Sequence, residues 1–324
     1  MFDSIAFSII RSFIDRGALQ LTLGDRPPVT LKGRHRGPHA SITISNRKIL
    51  WRLVTVPDLA FGEAYMDGHL TVPENGLEPL VDLLMTNSNS WATHWTGRAT
   101  LQIVNALAWL RHLNPRGRSR RNVAHHYDLS DALFDSFLDP WRQYSCGYFH
   151  GEEDTLETAQ VTKLARLAAK LDLQPDDRVL DIGCGWGGLA MAIAGCAEEA
   201  RVTGITLSDH QFSHACNMVA AAGLDSRVDF HLRDYRDQTG HFDKIVSVGM
   251  LEHVGPQGYA SYFAKIRALL ADDGIAVIHT IGVQHKAGPV NRWITKYIFP
   301  GGYLPSIGQM IRHTEMHSLK VLDM

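Results

Sequence analysis

The sequence predicts an α/β protein with a mostly parallel sheet covered by helices on both faces, preceded by a smaller α+β domain. After residue 155, five short apolar segments alternate with segments of helical periodicity. A glycine-rich turn joins the first of these segments to the next helix. Before residue 73, short strand-like runs are separated by Gly, Pro and Asn. A hydrophobic content of 45% over 324 residues is enough for a substantial core.

The N-terminal part is predicted to begin with an amphipathic helix over residues 1–17. This segment lacks the basic start and the small-residue cleavage site of a signal peptide. The runs ALQLTL, PPVTLKG, ASITIS and ILWRLVTV predict strands within residues 17–72. Helices are predicted around 76–87 and 98–112.

An arginine-rich segment separates the two predicted domains. Residues 112–126 have the sequence HLNPRGRSRRNVAHH, and the stretch from Arg111 to Arg121 contains five arginines, counting both ends. The change in composition predicts a boundary that divides the chain into residues 1–115 and 116–324. A solvated linker is the favoured interpretation. The alternative is an arm that contacts anionic lipid headgroups, where each basic residue contributes roughly 1 kcal/mol.

The C-terminal domain is predicted to begin with a helix whose first turn carries a capping box formed by Asp154 and Glu157. One face of this helix is apolar and carries Leu164, Leu167, Ala168 and Leu171. The strands are predicted at 179–183, 202–207, 228–232, 243–250 and 275–282, with helices at 186–197, 208–222 and 258–270. In such sheets, ligands bind outside the carboxyl ends of the strands, so functional residues are expected there.

The glycine-rich turn after the first strand favours a cationic ligand. Gly183, Gly185 and Gly188 have the spacing of a dinucleotide-binding turn, so the glycines alone do not identify the ligand. Asp181, at the end of the strand, would repel a pyrophosphate but attract the ammonium and sulfonium of S-adenosylmethionine. The second strand ends in Thr206, Leu207 and Ser208 and lacks the acidic residue expected for the ribose of NAD. The sequence therefore predicts S-adenosylmethionine.

Polar residues also follow the other predicted strands and are expected at the same carboxyl edge of the sheet as Asp181. Ser208 and Gln211 form a capping pair, an interpretation of Gln211 that stands beside a contact with ribose. Tyr235 either stacks on adenine or is half-buried beside a turn-capping Asp234. With Glu252 and His279, these residues predict one polar site. The four cysteines have no metal-binding spacing, and we expect a reduced, cytosolic protein without a metal.

Several motifs point to one family. They are HHYDLSDALFDSFLDPWRQYSCGYF (125–149), LDIGCGWGGLA (180–190), GITLS followed by Gln211 (204–211), GMLEHVG (249–255), HTIG (279–282) and KYIFPGGYLPS (296–306). The chain resembles the cyclopropane-fatty-acyl-phospholipid synthase family, which includes the mycolic acid cyclopropane synthases. FGEAYMDGHL (61–70) resembles the N-terminal domain of its bacterial, phospholipid-acting branch.

The resemblance implies a Rossmann-like class I methyltransferase sheet and a set of ligand-binding residues. Those implied for S-adenosylmethionine are Tyr127, Tyr144, Ser145, Asp181, Gly183, Gly185, Gly187, Thr206, Leu207, Gln211, Tyr235 and Arg236. A bicarbonate is implied at the positions Cys146, Glu252, His279 and Ile281. A carboxyl group beside an anion is expected to share a proton, so we expect the pKa of Glu252 to be raised.

The implied reaction adds a methylene group across the cis double bond of an unsaturated phospholipid acyl chain. Methyl transfer to an alkene leaves a carbocation, which requires water exclusion, electron-rich walls and a base. The candidate walls are Tyr127, Tyr144, Trp186, Tyr297, Phe299 and Tyr303. The alternatives are a lipid methyltransferase with a methyl-branched or methylidene product, and a binding protein without turnover.

Family chains continue past the point that matches Met324 and include a tyrosine of the anion site. The resemblance therefore leads us to expect reduced stability and weak or absent turnover from the 324 residues. It also implies work at the membrane surface from the cytoplasmic side, and is compatible with a homodimer. The N-terminal domain would serve lipid docking or self-association. A nucleic-acid partner is not expected, because the basic residues cluster in one segment.

Overall fold

The computed structural model describes residues 2–88, 131–284, 287 and 290–324. The chain divides into two compact units. The first comprises Met1–Trp109 and Asn291–Ile298, and the second comprises Leu110–Val290 and Phe299–Met324. The predicted boundary near residue 115, the basic segment and the predicted helix at 98–112 lie outside the described residues.

The first unit is a four-stranded sheet packed against helices. Its elements are α1 (Phe2–Phe13), β1 (Arg16–Leu23), β2 (Val29–Lys32), β3 (His35–Ile44), α2 (Arg47–Thr55), α3 (Pro57–Met66), β4 (Leu70–Thr71) and α4 (Leu77–Thr86). The strand order is β2-β1-β3-β4, with β1 and β3 parallel and the other two pairs antiparallel. Leu21, Ile44 and Leu50 are fully buried between the sheet and the helices. The predicted N-terminal helix and the helix at 76–87 are confirmed.

The predicted strand ILWRLVTV is wrong, because these residues belong to α2. Asn46 is the N-cap of α2, and its side chain accepts a hydrogen bond from the backbone N–H of Ile49 at 3.1 Å. Ile49 and Leu50 are buried, and Leu53 and Val54 pack against the same core four positions later. That spacing matches a helical period, which the cap and the core select over the strand propensity of this run.

The second unit contains a five-stranded, fully parallel sheet. Its strands are β5 (Arg178–Ile182), β6 (Arg201–Thr206), β7 (Val228–Leu232), β8 (Phe242–Val248) and β9 (Leu270–His279). Its α-helices are α5 (Asp131–Asp135), α6 (Leu156–Leu171), α7 (Gly188–Cys196), α8 (Asp209–Ala221), α9 (Leu251–Val254), α10 (Tyr259–Leu269) and α11 (Ile307–Met316). The order β7-β6-β5-β8-β9 reverses direction beside β5, which places the switch point between β5 and β8. The five predicted strands and the helices between them are confirmed.

The predicted capping box at the start of α6 is wrong. The N-cap is Thr155, whose side chain accepts a hydrogen bond from the N–H of Thr158 at 3.2 Å. Asp154 instead accepts a hydrogen bond from the N–H of His150 at 2.6 Å, which closes the preceding turn. The predicted apolar face of α6 is confirmed, because all four of its residues are buried. Within the described parts of the chain, we find no helix with the length and apolarity needed to cross a membrane.

Candidate active site

The end of β5 carries a buried carboxylate, and the turn after it has glycines in the left-handed region. Asp181 is 1% exposed, and its Oδ2 has no hydrogen-bond partner among the described residues. Burial raises the pKa of Asp181 to about 7. Gly183, Gly185 and Gly187 have φ values of 81°, 57° and 89°. A Cβ on Gly187 would also lie 2.8 Å from Phe230 Cζ, so both conformation and space require glycine there.

This turn fits a cationic ligand. The pKa of Asp181 is raised by burial without a compensating basic group among the described residues. A positive charge beside the carboxylate would therefore stabilise its ionised form, whereas a pyrophosphate would oppose it. S-adenosylmethionine carries positive charge on its sulfur and its amino group, and the chemistry of this turn fits it.

The end of β6 forms a closed polar cluster. Thr206 Oγ1 donates to Gln211 Oε1 at 3.0 Å, and the N–H of Gln211 donates to Ser208 Oγ at 3.2 Å. Ser208 is the N-cap of α8, which confirms its predicted capping role. The side chain of Gln211 therefore contacts Thr206. Leu207, which follows Thr206 in the sequence, is half-buried. A contact of Thr206, Leu207 or Gln211 with the cofactor stays a prediction.

The segment after β7 has mainly structural contacts. Tyr235 is 8% exposed and packs edge-to-face on Tyr262, with ring centroids 5.3 Å apart. Asp234 accepts a hydrogen bond from the N–H of Arg236 at 3.0 Å and pairs with its guanidinium. Asp234 therefore caps the turn, which agrees with the interpretation of Tyr235 as a buried residue beside a turn-capping aspartate. Binding of adenine by Tyr235 and Arg236 stays a prediction.

Glu252, in the short helix after β8, faces the end of β9. Its Oε1 accepts a hydrogen bond from the N–H of Ile281 at 2.7 Å, and its Oε2 is buried without a partner among the described residues. Burial raises the pKa of Glu252, although the Ile281 N–H acts in the opposite direction. The expected direction of the shift is confirmed, and its cause in the structure is burial. Glu252 and Ile281 are thus brought together as predicted.

His279 is the last residue of β9 and precedes Ile281 by two positions in the sequence. Its Nδ1 is buried and has no hydrogen-bond partner in the described part of the protein. Burial and then the charge of Lys163 lower the pKa of His279. A neutral imidazole and the second oxygen of Glu252 are unpaired groups of the kind that a small hydrogen-bonding anion would satisfy. The residues present therefore fit a bicarbonate, while the remaining predicted residue, Cys146, is exposed.

Two buried polar residues on α6 were missed by the sequence reasoning. Lys163 Nζ donates to Ser145 Oγ at 2.7 Å and to Gln143 Oε1 at 3.0 Å. Gln160 Nε2 donates to the carbonyl oxygens of Ser145 and Gln143 at 2.8 and 3.2 Å. Both residues lie on the apolar face that carries Leu164, and polar residues within that stripe were the available signal.

Contacts with the glycine turn bring several of these segments together. A Cβ on Gly183 would lie 3.1 Å from Met250 Cγ, next to the helix of Glu252. A Cβ on Gly188 would lie 2.5 Å from Gln143 Nε2. The ends of β5 and β8 and the segment before α6 therefore meet at one edge of the sheet.

The predicted aromatic walls have different surroundings. Tyr144 stacks on Phe299 with ring centroids 6.2 Å apart, and Trp186 packs on Phe134 at 4.8 Å. Tyr303 instead packs edge-to-face on buried Tyr259. The hydroxyl of Tyr297 donates to Glu63 within the first unit at 2.9 Å. Tyr127 lies outside the described residues.

Comparison with known proteins assigns a family. Residues 115–324 match the mycolic acid cyclopropane synthetase family. The chain is 41% identical over 280 residues to the cyclopropane-fatty-acyl-phospholipid synthase of Escherichia coli K12, covering 86% of this chain and 70% of that enzyme. The chain belongs to the mycolic acid cyclopropane synthetase family. It is an S-adenosylmethionine-dependent methyltransferase of the cyclopropane synthase type.

Other relatives show the range of this family. The tuberculostearic acid methyltransferase of Mycobacterium tuberculosis is 37% identical over 287 residues, covering 82% of this chain and 64% of that protein. The crystal structure of a mycolic acid cyclopropane synthase complexed with SAH and CTAB has a TM-score of 0.59 and 34% identity. That match covers 65% of this chain and 77% of the crystallised one. The predicted class I methyltransferase fold is confirmed.

Proposed function

We propose that the chain transfers a methylene group from S-adenosylmethionine to the cis double bond of an unsaturated phospholipid acyl chain. In net terms, the alkene gains CH₂ to form a three-membered ring, the sulfonium becomes a neutral thioether and one proton is released. The observation that carries this proposal is the pair of unsatisfied buried groups, Glu252 Oε2 in α9 and His279 Nδ1 at the end of β9, in the unit whose sheet also carries Asp181. They could hold a small anion, and bicarbonate would supply a base for the released proton.

Asp181 would bind the cationic cosubstrate. An ionised carboxylate in a site with little water interacts strongly with a positive charge, and Asp181 is available because no described basic side chain pairs with it. Loss of the methyl group would leave the ammonium as the only positive charge on the cosubstrate, which weakens that attraction. Product release therefore becomes easier when the methyl group has left.

Aromatic side chains would line the path of the acyl chain. Phe134, Tyr144, Trp186 and Phe299 form a connected set of ring contacts in the second unit. Their faces can stabilise a developing cation and exclude the water that would otherwise trap it. CTAB, a cationic amphiphile with one long alkyl chain, accompanies SAH in the related crystal structure. A lipid chain beside the cofactor is consistent with that pairing.

The proposed partner is a phospholipid presented at the cytoplasmic membrane surface, with the N-terminal unit serving in docking or in a homodimer. The arginine-rich segment at 111–121 would favour an anionic surface. A second candidate function is transfer that yields a methyl-branched or methylidene lipid. The similarity of this chain to the tuberculostearic acid methyltransferase supports this second candidate.

The test is product analysis with the purified chain. Vesicles of a phospholipid with one cis-monounsaturated chain would be incubated with S-adenosylmethionine, and the lipids would be analysed by mass spectrometry. We expect a gain of 14 mass units that survives mild hydrogenation, because a ring takes up no hydrogen under those conditions. A +14 product that then gains two hydrogens identifies a methylidene branch, and a +16 product a saturated methyl branch. Vesicles with only saturated chains are the control, and an unchanged unsaturated lipid would contradict the proposal.

A further inference from the structure

Lys163 is a buried lysine to which the proposed function gives no role. It is 4% exposed, and it donates hydrogen bonds to Ser145 Oγ and Gln143 Oε1. An ammonium is costly to bury unless it is paired or fully hydrogen-bonded. Among the described residues, Lys163 forms no ion pair, and two acceptors use only two of its three N–H groups. Packing alone does not explain why a lysine is buried here with incomplete hydrogen bonding and no carboxylate partner among the described residues.

The segment that Lys163 holds is one that carries predicted ligand-binding residues. Gln160, one turn earlier on α6, bonds to the carbonyl oxygens of Gln143 and Ser145. Asp139, which is 2% exposed, accepts hydrogen bonds from the N–H groups of Trp141 and Gln143 at 3.0 and 2.8 Å. Segment 139–146 is therefore fixed by its own carboxylate on one side and by α6 on the other.

The charge of Lys163 reaches titratable groups at the candidate site. Burial lowers the pKa of Lys163 to about 8, while Asp139 and then Cys146 raise it. Lys163 is therefore mostly charged at neutral pH. The helix of Lys163, α6, packs against β9, which ends at His279. The charge of Lys163 adds to burial in lowering the pKa of His279. Lys163 on α6, Asp139 and Cys146 before it, and His279 on β9 form one electrostatic cluster.

We propose that Lys163 is a positioning residue for the reaction: its ammonium orients segment 143–146 through hydrogen bonds to Gln143 and Ser145, and it offsets the charge of an anion held beside His279. This inference rests on the proposed function, because it assigns an electrostatic partner to the anion of that site. A neutral imidazole can complete hydrogen bonds to a small anion without taking up its proton. The nearby ammonium makes it less costly to hold the anion in a buried site.

The first test is Lys163→Met, which keeps most of the side-chain length and removes the charge. We expect turnover on unsaturated vesicles to fall at least tenfold, with a smaller rise in the Kd for S-adenosylmethionine, because segment 143–146 carries the predicted cofactor residues Tyr144 and Ser145. Removing a nearby cation raises the pKa of His279. Because the neutral form of His279 is required, the acid limb of the pH–rate profile should move to higher pH. Lys170→Met is the matched control, since Lys170 lies two turns later on α6 and is exposed. It should leave both turnover and profile unchanged.

Lys163→Arg separates charge from a structural role. Arginine stays charged at high pH, so we expect the acid limb to return to the parental position. The parent should lose activity as Lys163 deprotonates above about pH 8, and this alkaline limb should be absent in the arginine variant. Parental turnover and an unshifted profile in the methionine variant would overturn the proposal. The proposal would also be overturned if the methionine variant lost turnover together with a lower unfolding temperature, and if the arginine variant did not restore the parental pH–rate profile.

An NMR titration of His279 distinguishes this inference from the proposed function. Its signal is assigned by its absence in His279→Gln, and its pKa is compared between the parent and Lys163→Met. An upward shift in the variant supports the electrostatic coupling even if no lipid is converted, in which case only the proposed function fails. An unchanged pKa of His279 contradicts the inference, whatever the lipid analysis shows.

Discussion

Asp181 has opposite consequences for stability and for binding. Its folded-state pKa of about 7 lies above the ordinary value of 3.8, so the group favours folding at low pH. That contribution is lost as the pH rises through about 7, where a buried carboxylate must ionise without a partner. A cationic ligand would reverse this cost.

Asp181→Asn should therefore raise the unfolding temperature of the free protein at pH 8 and weaken S-adenosylmethionine binding at least tenfold, which corresponds to about 1.4 kcal/mol. Thermal unfolding and calorimetric titration measure the two effects. In the parent, binding should tighten between pH 6 and pH 8, because binding requires the ionised carboxylate. Equal affinity of the parent at both pH values would contradict this explanation.

Glu252→Gln tests the second buried carboxyl group. The amide oxygen can still accept the hydrogen bond from the Ile281 N–H, so we expect the fold and the affinity for S-adenosylmethionine to be retained. Turnover should fall by roughly 100-fold, because an amide cannot hold or share a proton at this position. Vesicle assays across pH measure the effect, with the exposed Glu157→Gln as the control. A variant that matches the parent at every pH would exclude a proton-sharing role.

At the residue scale, position on the sheet was the usable signal. Asp181, Glu252 and His279 could be predicted as members of the candidate site because each lies at or just after the carboxyl end of a strand, where parallel sheets bind ligands. Lys163 could not, since a lysine among leucines on a helix ordinarily extends its ammonium to solvent. Its burial depends on acceptors from segment 143–145, which the sequence does not place against α6.

At the element scale, the turn between β5 and α7 depends on Gly187. Gly187→Ala would combine a left-handed φ of 89° with close contacts to Phe230 and Ala215. We expect a loss of about 1–3 kcal/mol in the free energy of unfolding, measured in urea. Gly195→Ala, within α7 and with open space around it, is the control. It should be neutral or stabilising because alanine favours a helix, and equal effects of the two changes would contradict this account.

A second element-scale feature is the junction of α4 and β1. Asn87 is buried, and its side chain accepts from the N–H groups of Asp15 and Arg16 and donates to the carbonyls of Arg16 and Leu83. Asn87→Ala would leave these backbone groups unpaired and should destabilise the first unit by about 2–4 kcal/mol. Urea unfolding measures this loss. The exposed Asn217→Ala should change stability by less than about 0.5 kcal/mol, and comparable losses would rule out the proposed role of Asn87.

The two halves of the chain were predicted with different success. The central strands of the parallel sheet, β5, β6 and β8, are largely buried, and helices separate the strands along the chain, so apolar runs locate them well. The run at 49–56 is short, apolar and β-branched, and these properties fit a buried strand or a buried helix equally. The cap formed by Asn46 and the packing of Leu50 decide between them, and the packing depends on distant contacts.

At the scale of the whole molecule, the chain passes between its two units three times. Asn291–Ile298 returns to the first unit, where Arg292 pairs with Asp58 at 2.6 Å and Lys296 with Glu63 at 2.5 Å. Trp293 Nε1 donates to Met66 Sδ at 3.2 Å. This return segment could not be predicted from the sequence, because its partners lie 234 positions away, as for Asp58 and Arg292.

Glu63→Gln should loosen the return segment. Hydrogen bonds from Lys296 first, then from Tyr297 and Arg52, lower the pKa of Glu63 to about 2. Its stabilising effect is present above the ordinary value of 4.5 and is lost as the pH falls through about 2. At neutral pH the variant should show faster hydrogen exchange in Asn291–Ile298, measured by mass spectrometry. The exposed Glu74→Gln is the control, and unchanged exchange in the Glu63 variant would contradict the role of this contact.

The return segment limits how this protein can be dissected. A fragment that starts at residue 116 would contain Arg292 and Lys296 but neither of their carboxylate partners, and Trp293 would lose the surface of α3 on which it packs. A chimera that exchanges the N-terminal unit with that of a relative must therefore also exchange Asn291–Ile298. Each of the two units is formed by two separate stretches of the sequence, so cutting the chain at one position does not separate them.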